Sequence, residues 1–193
     1  MEKYKGQNKT LYFKIIRIMV TITISGTPGS GKSTVAKLLE EKLGVKYIYS
    51  GMIFRELAEK YKMSLEEFGK YCEENSEIDK ELDNRQIEIL KKGDVILEGR
   101  LAGWIAHLNS IKALKVAIIT DLETRAQRIV KREKGSVEKR KKEILGREKS
   151  EAKRYKNYYN IDLNNKSIYD LVIDSGNKTP EEIADIIVKE LKG

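Results

Sequence analysis

The stretch GTPGSGKST, from Gly26 to Thr34, has residue types and a spacing that could hold a phosphate group. Gly26, Gly31, Lys32 and Ser33 match the pattern G-x-x-x-x-G-K-[ST]. The glycines let backbone N–H groups turn towards a phosphate, the lysine supplies a cation, and the serine hydroxyl can ligate Mg²⁺. We therefore expect this loop to hold a nucleoside triphosphate together with Mg²⁺. The residues expected to hold it are Gly26, Thr27, Pro28, Gly29, Ser30, Gly31, Lys32, Ser33 and Thr34.

A phosphate loop alone does not say where the phosphoryl group goes. A GTPase would carry a guanine-reading N-K-x-D, but Asn165-Lys166 is followed by Ser167-Ile168. An ATP-driven motor would normally need a longer chain than 193 residues. What separates a kinase from both is a second anion site.

Several arginines are placed to form such a site. In SGMIFR, Ser50 follows a short predicted strand and Arg55 lies about one helical turn further on. In LEGR, Gly99 permits close backbone approach and Arg100 can grip a phosphate with two hydrogen bonds. A single arginine at any one of these positions is equally well explained as one partner of a solvated ion pair. Their clustering at predicted strand ends favours a phosphate site.

The later helices repeat this pattern. Three side chains spaced by four and three share one helix face: Arg147, Glu151 and Arg154. Another helix carries Arg125, Arg128 and Arg132 at spacings of three and four. Like charges at such spacings cost about 0.2–0.5 kcal/mol per pair, so we expect a bound anion to offset this arginine stripe.

The segment 131–146 is polar, rich in glycine and charge, and short of core residues. These properties are typical of a mobile lid that excludes water while a phosphoryl group is transferred. If the acceptor is a phosphate monoester, its oxygen is already anionic and no histidine base is needed. The chain has one histidine, His107, and one cysteine, Cys72, which excludes a disulfide framework or a His-based metal site.

The elements that position these residues alternate between strand and helix. Apolar, β-branched runs predict strands over 20–25, 45–50, 94–99, 115–120 and 169–174. Helical periodicity fills the intervals. We therefore predict an α/β fold in which a five-stranded parallel sheet is covered by helices on both faces. Ligands in such sheets bind at the carboxyl ends of the strands.

The organisation expected is one domain over residues 1–193, with 51–93 as a small helical segment for the acceptor and 131–146 as the lid. Residues 1–18 are an extra strand, a tail, or sequence that precedes a true start at Met19. The apolar run there is interrupted by Arg17 and is too short to span a membrane. We expect a cytoplasmic monomer without a membrane partner.

The net charge of +8 leaves two interpretations open: a nucleic-acid surface or a pocket for several phosphates. Residues 131–154 hold eleven basic and five acidic residues, so most of the surplus lies in one place. Interleaved glutamates and helical arginine spacing favour the lid over a nucleic-acid partner. An RNA-dependent P-loop ATPase remains the alternative from another class.

Taken together, GTPGSGKST, YSGMIFR, LEGR and REKSEAKRY resemble the motifs of P-loop nucleoside monophosphate kinases, and most closely those of archaeal-type cytidylate kinases. The resemblance covers nearly everything from Met19 onwards. It implies transfer of a phosphoryl group from Mg·ATP to CMP or dCMP. Another nucleotide or a shikimate-type small molecule is the same-class alternative.

The resemblance also implies roles. Arg55, Arg100 and Arg154 would hold the acceptor phosphate, together with Ser50. Arg128 would pack on the adenine of ATP, and Arg132 and Arg147 would reach the transferred group. Glu151 would orient the arginines or a ribose hydroxyl. Ser33 would ligate Mg²⁺, with Glu98 contributing through water.

The sequence departs from the family pattern at two points. Tyr49 replaces the acid that bacterial relatives place before S-G, and Glu98 replaces the usual Asp of the third strand. The residues that read the base are also undetermined. Asp79, Asp83, Arg85 and Gln86 have suitable side chains, although a solvated helix face explains them equally well. Three tyrosines are expected to serve packing: Tyr155, Tyr158 and Tyr159.

Overall fold

The computed structural model describes residues 20–64, 67–68, 71–72 and 75–192. The predictions for residues 1–18 fall outside these ranges. The strands are β1 (Thr21–Gly26), β2 (Lys46–Tyr49), β3 (Val95–Glu98), β4 (Leu114–Ile119) and β5 (Leu171–Asp174). The helices are α1 (Lys32–Leu43), α2 (Ser50–Lys60), α3 (Ser76–Lys92), α4 (Ala102–Leu108), α5 (Leu122–Glu133), α6 (Val137–Tyr159) and α7 (Pro180–Glu190).

The five strands form one parallel sheet in the order β2-β3-β1-β4-β5, which confirms the predicted fold. In the central strand β1, Ile24 lies opposite Glu98 of β3, and Gly26 lies opposite Ile118 of β4. Tyr49, the last residue of β2, also lies opposite Glu98. This register brings the ends of β1, β2 and β3 to the same edge, where the phosphate loop begins.

Helices cover both faces of the sheet because alternate strand residues point to opposite sides. Ile96 packs with the apolar residues of α1 and α7, including Leu39 and Ile187. Its neighbours on β3, Val95 and Leu97, pack instead with α3 and α4. A residue such as Ile96 is therefore fully buried, which explains the continuous apolar runs in the sequence.

Two smaller clusters lie outside the main core. Leu57 of α2 packs with Phe68, Cys72 and Ile78, so the cysteine serves as a packing residue. Ile129 of α5 packs with Ile144 of α6 and stabilises a helical hairpin. The predicted lid, 131–146, comprises the end of α5, the connection and the first turns of α6. Its mobility stays a prediction.

Helix ends follow local chemistry. Gly44 ends α1 in the left-handed conformation, as expected for a C-terminal glycine. Thr179 and Glu182 form a capping box at the start of α7, with Pro180 in the first turn. Among the described helices, none is both long and apolar enough to cross a membrane.

Candidate active site

The phosphate loop connects the end of β1 to the first turn of α1. Gly29 and Gly31 have φ angles of +82° and +91°, a left-handed conformation that favours glycine. A Cβ on Gly29 would lie 2.7 Å from the carbonyl oxygen of Arg125, so the loop packs directly on α5. The Lys32 ammonium donates to the carbonyl of Thr27 at 3.1 Å, which closes the loop on itself.

Lys32 lies in a strongly electropositive part of this site. Burial, together with the charges of Arg100 and Arg147, lowers the pKa of Lys32 to about 8. The carboxylate of Glu98, whose Oε1 is 3.8 Å from the ammonium, acts in the opposite direction but does not compensate. Several cations therefore converge where only a few acidic groups oppose them, which suits a polyanionic ligand.

Glu98 is 5% exposed and is held by a neighbouring strand. The hydroxyl of Tyr47, on β2, donates a hydrogen bond to Glu98 Oε2. Burial and this hydrogen bond raise the pKa of Tyr47, which keeps the hydroxyl protonated. The Ser33 side chain interacts with the same hydroxyl, so Ser33, Tyr47 and Glu98 form one cluster.

The donor atoms of this cluster suit Mg²⁺, which prefers oxygen ligands and usually keeps several waters. Ser33 offers a hydroxyl and Glu98 a carboxylate at the phosphate loop. No cluster of three or more His, Cys, Asp or Glu residues that could hold a metal occurs in the described part of the chain. The remaining ligands of a bound Mg²⁺ would therefore be water and substrate phosphates.

Glu151 of α6 links two of the predicted arginines. Arg100 donates to its Oε2 through Nε at 2.7 Å, and Arg147 donates to its Oε1 through Nε at 2.7 Å. Glu151 is 4% exposed, and Glu148 lies 3.8 Å from Arg100. Because each arginine uses Nε for this contact, its terminal N–H groups are not taken up by Glu151.

Two further arginines contact tyrosines. Arg55 donates to the hydroxyl of Tyr49, and its guanidinium lies 5.6 Å from the centre of that ring. The guanidinium of Arg154 lies 5.3 Å from the centre of the Tyr155 ring. Tyr49, which departs from the bacterial pattern, therefore contacts a predicted site arginine through its hydroxyl and its ring.

The three arginines of the stripe on α5 lie in three different environments. Arg128 donates through Nη1 to Ser175 Oγ at 2.9 Å and through Nη2 to the Ser175 carbonyl at 2.7 Å. Arg132 is exposed and pairs with Glu133. Arg125 is buried and pairs with Glu148 at 2.6 Å.

The prediction that a bound anion offsets the whole stripe is therefore wrong for Arg125. Helical spacing placed the three side chains on one face correctly. It could not show that Arg125 lies beneath the phosphate loop, where α6 supplies the opposite charge.

A single cavity of about 1140 Å³ joins these groups. Its lining includes every predicted site residue except Thr27, which lines a second cavity of about 690 Å³ next to Arg100. The predicted residues it brings together are Gly26, Pro28, Gly29, Ser30, Gly31, Lys32, Ser33, Thr34, Ser50, Arg55, Glu98, Arg100, Arg128, Arg132, Arg147, Glu151 and Arg154.

Sequence reasoning missed Ser175. Besides accepting from Arg128, it donates to the carbonyl of Ser30 at 2.9 Å and so joins the end of β5 to the phosphate loop. Its position directly after a predicted strand was the available signal. Phe54, Leu82 and Lys178 also line the cavity and were missed, because their spacing matches ordinary amphipathic helices or loops.

The residues considered as candidates for reading the base differ in whether they line the cavity. Asp83 and Gln86 line the cavity. Arg85 does not, and pairs with Glu56 at 3.4 Å on the surface. The side chain of Asp79 is outside the described set. Of the tyrosines, Tyr155 and Tyr159 pack against the core as expected, although Tyr155 also lines the cavity, whereas Tyr158 is exposed.

The fold and the site together define the class of protein to which this chain belongs. A parallel sheet, a G-x-x-x-x-G-K-S loop between β1 and α1, and a facing set of arginines are the components of a P-loop kinase. The family model described as "Cytidylate kinase-like family" matches residues 21–177. The chain belongs to this family and is a nucleoside monophosphate kinase by class.

The similarity to individual relatives extends over most of the chain. The cytidylate kinase of Methanocaldococcus jannaschii is 48% identical over 167 residues, covering 86% of this chain and 94% of the relative. That of Methanopyrus kandleri is 48% identical over 177 residues, covering 88% and 92%. A shikimate kinase structure from Bacteroides thetaiotaomicron shares the fold alone, with a TM-score of 0.58, 15% identity and coverage of 90% and 98%.

Proposed function

We propose that the protein transfers the γ-phosphoryl group of ATP to CMP and dCMP, giving ADP and CDP or dCDP, with Mg²⁺ bound. The observation that carries this proposal is the single cavity shared by the phosphate loop and the arginines of α2, β3 and α6. A hydrolase would need one phosphate site, whereas a kinase needs a second one for the acceptor, which the arginines that line this cavity would supply. The names of the archaeal relatives support cytidylate as the acceptor.

The reaction requires little acid–base chemistry. An oxygen of the acceptor phosphate attacks the γ-phosphorus, and the bond between that phosphorus and the β–γ bridging oxygen breaks. The acceptor oxygen is already anionic, so no general base is needed. The only histidine of the chain, His107, does not line the cavity. Catalysis then consists of positioning and charge stabilisation.

We assign the residues by their place in the cavity. The phosphate loop and Arg128 hold ATP, while Ser50, Arg55, Arg100 and Arg154 hold the acceptor phosphate. Lys32, Arg132 and Arg147 stabilise the transferred group, and Glu151 orients Arg100 and Arg147 through the bonds described above. Ser33 would hold Mg²⁺ directly and Glu98 through water. The ion would neutralise charge on the phosphates.

The test is an assay of ADP release with purified protein, Mg·ATP and CMP, dCMP, UMP or AMP in turn. We expect turnover with CMP and dCMP and a much lower kcat/KM with UMP and AMP. Equal or better turnover of AMP would disprove the cytidylate assignment while leaving the kinase class intact. ATP hydrolysis that no acceptor stimulates would contradict phosphoryl transfer itself.

Three broader expectations accompany this function. Residues 51–93 would close over the acceptor, and residues 131–146 would act as the lid. The protein would act as a cytoplasmic monomer. Light scattering after size exclusion gives the mass in solution, for which a monomer of 22.2 kDa is expected.

A further inference from the structure

Gln86 of α3 is a buried amide with an unused acceptor. The side chain is 3% exposed, and its Nε2 donates to Asp83 Oδ1 at 3.1 Å. Its Oε1 accepts no hydrogen bond from any described residue. A buried polar atom without a partner costs about 1–3 kcal/mol, so its retention in a cavity wall indicates a ligand donor.

This amide lies at the acceptor end of the cavity. A Cβ on Gly99 would lie 3.3 Å from Gln86 Oε1 and 2.7 Å from the hydroxyl of Ser50. Gly99 immediately precedes Arg100, which the proposed function assigns to the acceptor phosphate. Gln86 and Asp83 are therefore within one nucleotide's reach of that phosphate.

The surrounding walls suit a planar base. Phe54, Leu82 and Tyr155 line the same cavity as Asp83 and Gln86. The Phe54 ring is fixed by an edge contact with Phe68, with ring centres 4.9 Å apart. Apolar walls with a few convergent polar groups are typical of small-molecule sites, where the polar groups decide which ligand is accepted.

We propose that Gln86 Oε1 and the Asp83 carboxylate form an acceptor pair that reads the exocyclic amino group of the acceptor base. This inference rests on the proposed function and adds the residues that determine specificity. Asp83 accepts from the amide through Nε2, so Oε1 is the amide atom left for a ligand donor. Two neighbouring acceptor atoms can both be satisfied by one donor group that carries two hydrogens. The 4-amino group of cytosine is such a donor.

The same pair excludes uracil. Uracil carries a carbonyl oxygen where cytosine carries its amino group, and this oxygen would face the oxygens of Asp83 and Gln86. A site built for a donor rejects an analogue that cannot supply one, because the buried Gln86 Oε1 is then left unpaired. The proposal therefore predicts discrimination between 4-amino and 4-oxo pyrimidine nucleotides.

The experiment compares kcat/KM for CMP and UMP, and the Kd of each nucleotide by calorimetry, in wild type and three variants. Asp83→Asn keeps the shape but can turn an N–H towards a carbonyl. Gln86→Met keeps the length and removes the acceptor. Arg85→Gln, on the exposed face of the same helix, is the matched control.

We expect the wild type to prefer CMP by at least about 100-fold, and both site variants to reduce the CMP/UMP ratio by at least about tenfold. In Asp83→Asn, UMP binding should strengthen as CMP binding weakens, which a purely structural defect would not produce. Arg85→Gln should leave the ratio within about twofold of wild type.

Thermal unfolding and ATP affinity show whether each variant is folded, and either site variant alone suffices for the test. The inference is overturned if a folded site variant keeps the wild-type ratio, or if the wild type does not distinguish CMP from UMP. Neither result affects the proposed phosphoryl transfer. Absence of turnover with every pyrimidine nucleotide would instead disprove the proposed function.

Discussion

The surroundings of Lys32 lower the pKa of its ammonium group, and a bound anionic ligand should raise that pKa again. Desolvation by burial, together with the nearby arginines, lowers the pKa of Lys32 to about 8. A bound triphosphate places negative charge next to the ammonium and stabilises its protonated form. Binding of ATP should therefore raise the pKa of Lys32 and take up a proton from solution.

The sign of this linkage gives the first prediction. Above about pH 8 the free protein holds Lys32 increasingly uncharged, so ATP affinity should fall as pH rises. At pH 8.5, calorimetry in buffers of different ionisation enthalpy should report uptake of roughly 0.7 of a proton per ATP bound. Lys32→Met should abolish both the uptake and turnover while the protein stays folded.

Lys37→Met, an exposed substitution on the same helix, should leave the uptake unchanged. Uptake that persists in Lys32→Met would assign the proton to another group. Full turnover in that variant would contradict the role of the phosphate loop.

Glu98 shows why single residues were harder to predict than motifs. Its position at the end of β3 was evident, but its part in the site depends on Tyr47, which lies on the neighbouring strand β2. The longer side chain that replaces the family's Asp is held by the Tyr47 hydroxyl. Nothing in the spacing of Tyr47 and Glu98, 51 residues apart, indicates this contact.

Among the elements, the contact between the phosphate loop and α5 matters most for the shape of the site. Gly29 lies on the backbone of Arg125, and Arg125 is held in turn by Glu148 of α6. A side chain at position 29 would collide with the Arg125 carbonyl, which cannot move independently of α5. The loop and the helical hairpin therefore share one fixed interface.

The second prediction compares two glycines. Gly29→Ala should weaken ATP binding by at least about 100-fold, because the loop must move away from α5 to accommodate a Cβ. Gly44→Ala is the matched control: φ is also positive, +64°, but nothing lies within 4 Å of the added atom. It should cost only about 1–2 kcal/mol of unfolding free energy and leave activity unchanged.

Urea unfolding and calorimetric ATP titration of both variants make this comparison. Equal effects of the two substitutions on ATP affinity would show that backbone conformation alone, and not the contact with Arg125, determines the loop.

The elements themselves were largely predictable. Buried parallel strands produce continuous apolar runs, and several helix ends carried local signals, such as Gly44 after α1 and Thr179 before α7. What helical spacing could not show is the depth of a side chain below the surface. Arg125, Arg128 and Arg132 look equivalent in sequence, yet one is buried, one bridges to β5 and one is exposed.

Gln86 is a residue that looks exposed in the sequence but is buried in the structure. It lies in IDKELDNRQ, a run that resembles a solvated helix face, and only tertiary packing buries its amide. The site was thus predictable where chemistry demands a fixed motif. It was not predictable where an ordinary polar residue is placed by contacts distant in sequence.

For the whole molecule, the question is how the net charge of +8 is arranged. Several basic residues in 131–154 are paired with acids on the same or the neighbouring helix. Arg140 lies 2.7 Å from Glu143 and 3.6 Å from Glu133, and Lys141 pairs with Glu123 across the α5–α6 hairpin. Arg100 and Arg147 share Glu151 inside the cavity. Arg140, Lys141 and Arg147 are therefore engaged by acidic residues of the protein itself.

These ion pairs favour a nucleotide kinase over an RNA-dependent ATPase and support the third prediction. Single-stranded RNA should bind no more tightly than about 10 µM at 0.15 M salt, the range of non-specific phosphate contacts. It should change neither CMP-dependent ADP release nor basal ATP hydrolysis by more than about twofold. A fluorescence titration with labelled RNA and the coupled assay measure both quantities.

If RNA stimulated hydrolysis tenfold in the absence of CMP, the surplus at 131–154 would have to act as a nucleic-acid surface. The pairing of Arg140 and Lys141 would then have to be broken on binding, with a steep dependence of affinity on salt.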